Sequence, residues 1–143
     1  MNSHGDYSHR QLICGLSSIK AVIDFSSACT LPVVWELIRS YTYGDPGCAD
    51  ATIEAPDLLE YVRLYLEEVD LTGHDLGTMP YLYMFQLARS KYGYREYPNG
   101  TAEERGSLLA FAFWRTDMCR WLEAHAEELS SDLSRLAPSR HST

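Results

Sequence analysis

The sequence predicts a mainly α-helical domain that carries one small β-hairpin near its start. Three observations lead to this. Apolar residues recur at helical spacing over much of residues 32–136; two short runs rich in branched apolar residues flank a turn within residues 11–25; and the clusters Gly44-Asp45-Pro46-Gly47 and Pro98-Asn99-Gly100 break the chain between helical segments. With 143 residues, 45% of them hydrophobic, the chain has enough apolar material for one compact domain with a sizeable core.

The elements follow in order. Gln11-Leu12-Ile13-Cys14 reads as a strand, Gly15-Leu16-Ser17-Ser18 as a turn, and Ile19 to Phe25 as the returning strand. Pro32 opens a first helix with Val33, Val34, Leu37, Ile38 and Tyr41 on one face, and Gly44-Asp45-Pro46-Gly47 ends it. Pro56 and Asp57 start a second, with Leu58, Leu59, Val62, Leu66 and Val69 inward. A third is expected from Asp75 to about Tyr92, its regular part beginning near Pro80. Thr101 and Glu104 form a capping-box pattern before a long last helix, which carries Phe111, Trp114, Met118, Trp121 and Leu122 and continues to about Leu136. Residues 137–143 are polar and expected to be a flexible tail.

Charge and cysteine usage narrow the function. Twelve basic against twenty acidic residues give a net charge of −8 with no basic run, which disfavours nucleic acid and anionic membranes as partners. No apolar run approaches the roughly 20 residues of a membrane helix, and Met-Asn-Ser-His-Gly-Asp has no leader-like pattern. Cys14, Cys29, Cys48 and Cys119 have neither zinc nor disulfide-framework spacing. Three sit in apolar segments and Cys48 in a loop, so a reducing, cytoplasmic setting is expected. The histidines beyond His4 are dispersed and form no metal pattern. Residues 81–97 are rich in Tyr, which suits either an acceptor-binding wall or core packing with hydroxyls at the surface. Arg89 and Arg95 there could bind phosphate or a carboxylate, or pair with surface acids.

The chemistry-bearing residues are His4-Gly5-Asp6, Gln11 five residues after Asp6, and Ile23-Asp24-Phe25, whose Asp lies 18 residues after Asp6. Phosphoryl transfer uses such a set: one carboxylate to take or orient the proton of the attacking hydroxyl, a side-chain carbonyl near a magnesium ion, and a second carboxylate at a strand end to hold that metal. The pattern H-G-D-x-x-x-x-Q, a hairpin, then I-D-F resembles the aminoglycoside-phosphotransferase and choline-kinase-like families, and Leu31 to Leu37 resembles the segment that follows in them. At motif level the likeness covers residues 4–38.

The resemblance implies the C-terminal lobe of the protein-kinase-like fold and an ATP- and magnesium-dependent phosphotransferase acting on a small-molecule hydroxyl. It makes Asp6 the catalytic base, Asp24 and Gln11 the metal ligands, and His4 a structural residue of the loop. The sequence departs from the family at three positions. Gln11 stands for an Asn one methylene shorter, Ser26 follows the I-D-F where relatives often have another acid, and Glu36 replaces a helix Asp. Only three residues precede His4, and neither G-x-G-x-x-G nor G-x-x-x-x-G-K-[ST] occurs downstream. A catalytic lobe without its nucleotide-clamping partner is therefore expected. The isolated chain should have little activity unless a homodimer or a separate N-terminal lobe completes it. The alternatives are an inactive helical binding module derived from such a kinase, and an unrelated helical protein, for which residues 11–25 would be helical.

Overall fold

The structure, a computed structural model, describes residues 2–137, with the side chain of Asn2 left aside. Strands β1 (Asn2–Ser3), β2 (Leu12–Cys14), β3 (Ile19–Val22) and β4 (Cys29–Thr30) precede helices α1 (Val33–Gly44), α2 (Ala55–Tyr65), α3 (Gly73–Arg89) and α4 (Ala102–Ser134). The hairpin stands where the sequence placed it. β2 and β3 pair antiparallel, with Leu12 opposite Val22, and the Gly15 N–H closes the turn on the Ser18 carbonyl at 2.7 Å. A second small pairing, β1 against β4, brings the start of the chain back to residues 29–30. Two-residue strands carry too little alternation to be read from sequence.

The core is helical. Ile38 and Leu37 of α1, Leu58 and Val62 of α2, Leu76, Met79 and Tyr83 of α3, and Met118, Leu122, Leu129 and Leu133 of α4 are buried together. α3 and α4 form the most extensive helix pair and run antiparallel. Small residues allow the close approach at one end: a Cβ on Gly77 would stand 2.4 Å from Ser134 Oγ, and Ser130 Oγ donates to the Gly77 carbonyl at 2.7 Å. Between α1 and α3, Tyr83 is fully buried and its hydroxyl shares a 2.7 Å hydrogen bond with Thr42.

Three sequence expectations need correction. α3 starts at Gly73, two residues before the expected Asp75, and is regular from there rather than from Pro80, because Thr72 and Asp75 form a reciprocal capping box that satisfies the first turn; Pro80 is buried inside the helix. The helix also stops at Arg89, and residues 91–99 form turns instead of its last turn. Of the cysteines expected in apolar segments, only Cys119 packs on the core, and Cys48 is buried although it lies in the connection after α1. Cys14 and Cys29 are exposed, whereas Cys48 is buried under Trp114, whose indole N–H donates to the Cys48 carbonyl at 2.8 Å. Burial pushes the Cys48 thiol up to about 11, so it is no nucleophile at neutral pH. All four are free thiols. Of the expected tail, Ala137 packs on the core; residues 138–143 lie outside the described residues.

The Thr101–Glu104 box is formed as expected, with Thr101 Oγ1 accepting from the Glu104 N–H and Glu104 accepting from the Thr101 N–H at 2.8 Å. These bonds hold the Glu104 carboxyl below its ordinary value, the backbone N–H of Thr101 contributing most. Folding therefore favours the ionised form, and that stabilisation is present above the ordinary value and lost as pH falls through the lowered one. Glu104→Gln is expected to melt below the parent near pH 7 and to converge with it as the pH falls through the lowered carboxyl value. Parallel thermal melts at several pH values check this.

Candidate active site

Each motif residue is held by a specific contact. Glu36, on α1 and only 8% exposed, accepts the backbone N–H of His4 at 2.8 Å and that of Tyr7 at 3.1 Å. One carboxylate thus fastens both ends of the loop 4–7 to the helical body. The His4 ring reaches the other way. Its Nε2 lies 2.8 Å from the Ile23 carbonyl, which can only accept, so Nε2 carries the proton. The same ring packs 4.5 Å from the ring of Phe25. Gly5 has φ +82° and lies so close to Ser27 that a Cβ would stand 2.0 Å from its carbonyl oxygen. H-G-D and I-D-F are in this way clasped together: His holds the strand end and Gly admits the neighbouring backbone.

Asp24 follows β3 with φ 62° and ψ 62°, a left-handed conformation that Asp tolerates better than most residues and that often marks functional turns. Its carboxylate is exposed and accepts the Ser26 hydroxyl at 2.6 Å. That bond, aided by the Ser26 backbone N–H, lowers its proton affinity, so it is an anion at neutral pH. Gln11 is tied to the same strand end through its backbone carbonyl, which accepts the Ile23 N–H at 2.9 Å. Its side-chain oxygen accepts the Ser8 hydroxyl. Asp6 accepts from Arg39 of α1, and its side chain remains 43% exposed.

Asp6 and Gln11 line one large cleft of about 2040 Å³, between the loop 5–11, α1 and the start of α4; Asp24 is not among its lining residues. The structure ties Gln11 by a backbone bond, and His4 by its ring, to Ile23 beside Asp24, while the Asp24 side chain does not share the cleft wall with Asp6 and Gln11. Among the described residues no cluster of three or more His, Cys, Asp or Glu side chains is grouped to hold a metal. Magnesium needs no such cage beside a nucleotide, since waters and phosphate oxygens fill most of its coordination sphere. Asp24 offers an exposed, ionised carboxylate outside the cleft, and Gln11 a side-chain carbonyl on the cleft lining that is bonded to the Ser8 hydroxyl.

The far wall of the cleft is aromatic. Tyr43, Phe111 and Trp114 stack on one another at 5.4–5.9 Å, with Tyr92 against Phe111. The Tyr-rich stretch therefore divides: Tyr83 is core, Tyr92 lines the cleft, and Tyr81, Tyr94 and Tyr97 are exposed. Arg89 lies over the Phe85 ring and Arg95 pairs with Glu96. The arginines that matter are two others, Arg39 and Arg115, both lining the cleft. Arg115 had a legible signal: it falls between Ala112 and Met118 on the buried stripe of α4, where an Arg is out of place.

No protein-family model, curated protein or solved structure matches this chain. No helix among the described residues is long and apolar enough to cross a membrane.

Proposed function

We propose that this chain is the catalytic lobe of a small-molecule phosphotransferase, working on a hydroxyl acceptor with ATP and magnesium. The observation that carries the reading is the clasp itself: Glu36 to the backbone of His4 and Tyr7, His4 to the Ile23 carbonyl, and Gly5 against Ser27. These contacts give His4 and Gly5 a reason for their identity and fasten the H-G-D loop to the start of I-D-F. Chance motifs in an unrelated helical protein would not require them.

In this reading Asp6 accepts the proton of the acceptor hydroxyl at the cleft wall, and Arg39 aims its carboxylate. Asp24 and Gln11 would hold magnesium, which neutralises charge on the phosphate oxygens when bound. The aromatic wall excludes water and seats the acceptor. Nucleotide clamping needs a further surface. Ile13, Ile19, Ile23 and Phe25 of the hairpin region are each more than two-fifths exposed, and this apolar face is where a nucleotide-holding lobe or a second copy would seat. A cytoplasmic setting accords with this chemistry.

A second reading is favoured by two contacts. Arg39 already occupies Asp6, and Ser8 already occupies the Gln11 carbonyl, as in a binding module that has lost its chemistry. Manganese, which stands in for magnesium and relaxes water protons, separates the two. The phosphotransferase reading expects Mn·ATP to bind, Asp24→Asn to lose at least about tenfold in affinity, and Asp6→Asn to keep it. Equal affinity in all three proteins, or none in a folded parent, would favour the binding module.

A further inference from the structure

The cleft contains a buried positive charge without a counter-ion. Arg115 is 4% exposed, yet it makes no ion pair, and neither Nε nor Nη2 has a hydrogen-bond partner among the described residues. Its guanidinium carbon lies 5.7 Å from the centre of the Phe111 ring. Buried guanidinium groups are normally paired, because removing the ion from water costs several kcal/mol unless an acceptor replaces the lost hydration. Core packing alone gives no reason to keep an Arg there, since Met or Leu would fill the same stripe of α4 without that cost.

Arg115 is not alone. Arg39 Nη1 and Trp35 Nε1, from residues lining the same cleft, are also buried donors without acceptors. Four unpartnered N–H groups from three residues thus stand against a single unpartnered acceptor on the cleft lining, Gln86 Oε1. Arg39 and Arg115 are joined through the aromatic wall: Arg39 lies 4.5 Å from the Tyr43 ring, Tyr43 packs edge-on against Phe111 at 5.6 Å, and Arg115 lies 5.7 Å from the Phe111 ring. Of the acids on the rim, Glu96 holds Arg95 and the Gly93 N–H, Glu104 caps α4, and Asp45 takes the Gly47 N–H; Glu103 makes no ion pair with Arg115. Asp6 is the one carboxylate that reaches Arg39, and it leaves Arg115 unpaired.

We propose that Arg115, with Arg39 beside it, forms an oxyanion subsite of the cleft that takes the carboxylate or phosphate group of a small molecule. A guanidinium presents a planar fork of donors that matches either group, and the aromatic wall beside it holds the carbon skeleton. The unpartnered Gln86 oxygen adds a place for a hydroxyl or amine of the same ligand. If Asp6 is the base, as proposed above, the acceptor is a hydroxylated acid or a phosphorylated alcohol. The subsite itself rests on the orphaned donors and stands even where that phosphotransfer reading fails.

The test uses no nucleotide, so its outcome is separate from that of the phosphotransferase reading. The chain is titrated at constant ionic strength with inorganic phosphate and, separately, with acetate. The Arg115 Nε–H resonance is followed by NMR of 15N-arginine-labelled protein, and binding is read from melting temperature. A saturable shift of that resonance with phosphate assigns the subsite to a phosphate group, and one with acetate to a carboxylate. Arg115→Met should weaken the responding anion by about tenfold or more, and without anion it should melt no lower than the parent. Arg115→Lys keeps the charge and should retain part of the response. No shift with either anion, or an undiminished melting response in Arg115→Met, overturns the proposal; the resonance decides the matter even where that variant does not fold.

Discussion

Glu36→Ala is expected to detach the loop 4–7 from the helical body and to cost about 2–5 kcal/mol locally. Glu36 is buried on α1, and its two oxygens are the acceptors for the His4 and Tyr7 N–H groups. Alanine removes both acceptors and leaves two donors facing a cavity. Each orphaned buried donor costs about 1–3 kcal/mol. The packing of α1 against α3 does not involve those bonds, so most of the helical core should survive. Amide hydrogen exchange checks this: the His4 and Tyr7 amides should exchange far faster, while amides around Met118 and Leu122 keep their protection. Glu36→Gln retains one carbonyl acceptor and should lose about half as much. Unchanged protection at His4 and Tyr7 in Glu36→Ala would mean that the loop is held by something else.

Gly5→Ala should be nearly as damaging, by another route. The φ of +82° is one that L side chains rarely adopt, and the added Cβ would lie 2.0 Å from the Ser27 carbonyl oxygen. A backbone oxygen cannot swing aside as a side chain would, so the loops 4–7 and 23–27 must separate. About 3 kcal/mol is the expected cost, combining strain and overlap. The separation also moves Asp6 relative to Asp24, so nucleotide binding should fall with it. Gly15→Ala is the control. Its Cβ would meet only the Lys20 side chain, whose far end can move, and a small effect is expected. Comparable losses in the two variants would show that the tight contact at Gly5 is not what holds the site.

Both predictions concern residues whose identity was legible in the sequence but whose reason was not. H-G-D and I-D-F could be read from their order and from the hairpin between them, because strand pattern and turn chemistry are local. Glu36 appeared only as a longer replacement for an Asp. Its task depends on a loop 29 to 32 residues away, which no local pattern encodes. The helices α1, α2 and α4 were legible for the same reason as the hairpin: their apolar stripes repeat and their ends carry Pro, Gly or a capping box. For α3, Pro80 reads as the start of the regular part, whereas the Thr72–Asp75 box, which opens eight residues earlier, makes the helix regular from Gly73. Cys48 and Arg115 are buried by tertiary packing, the first beneath Trp114 and the second between α4 and the cleft. For Arg115 the periodicity of α4 gave a usable hint; for Cys48 none existed.

The central claim is that the clasped loops form a nucleotide-metal site built on Asp24. Isothermal titration of the folded chain with Mg·ATP, beside Asp24→Ala, tests it most directly. The account predicts magnesium-dependent binding to the parent that disappears in Asp24→Ala, with circular dichroism unchanged because Asp24 is exposed and carries no core contact. Binding that survives the substitution, or a folded parent that binds no Mg·ATP, would contradict it.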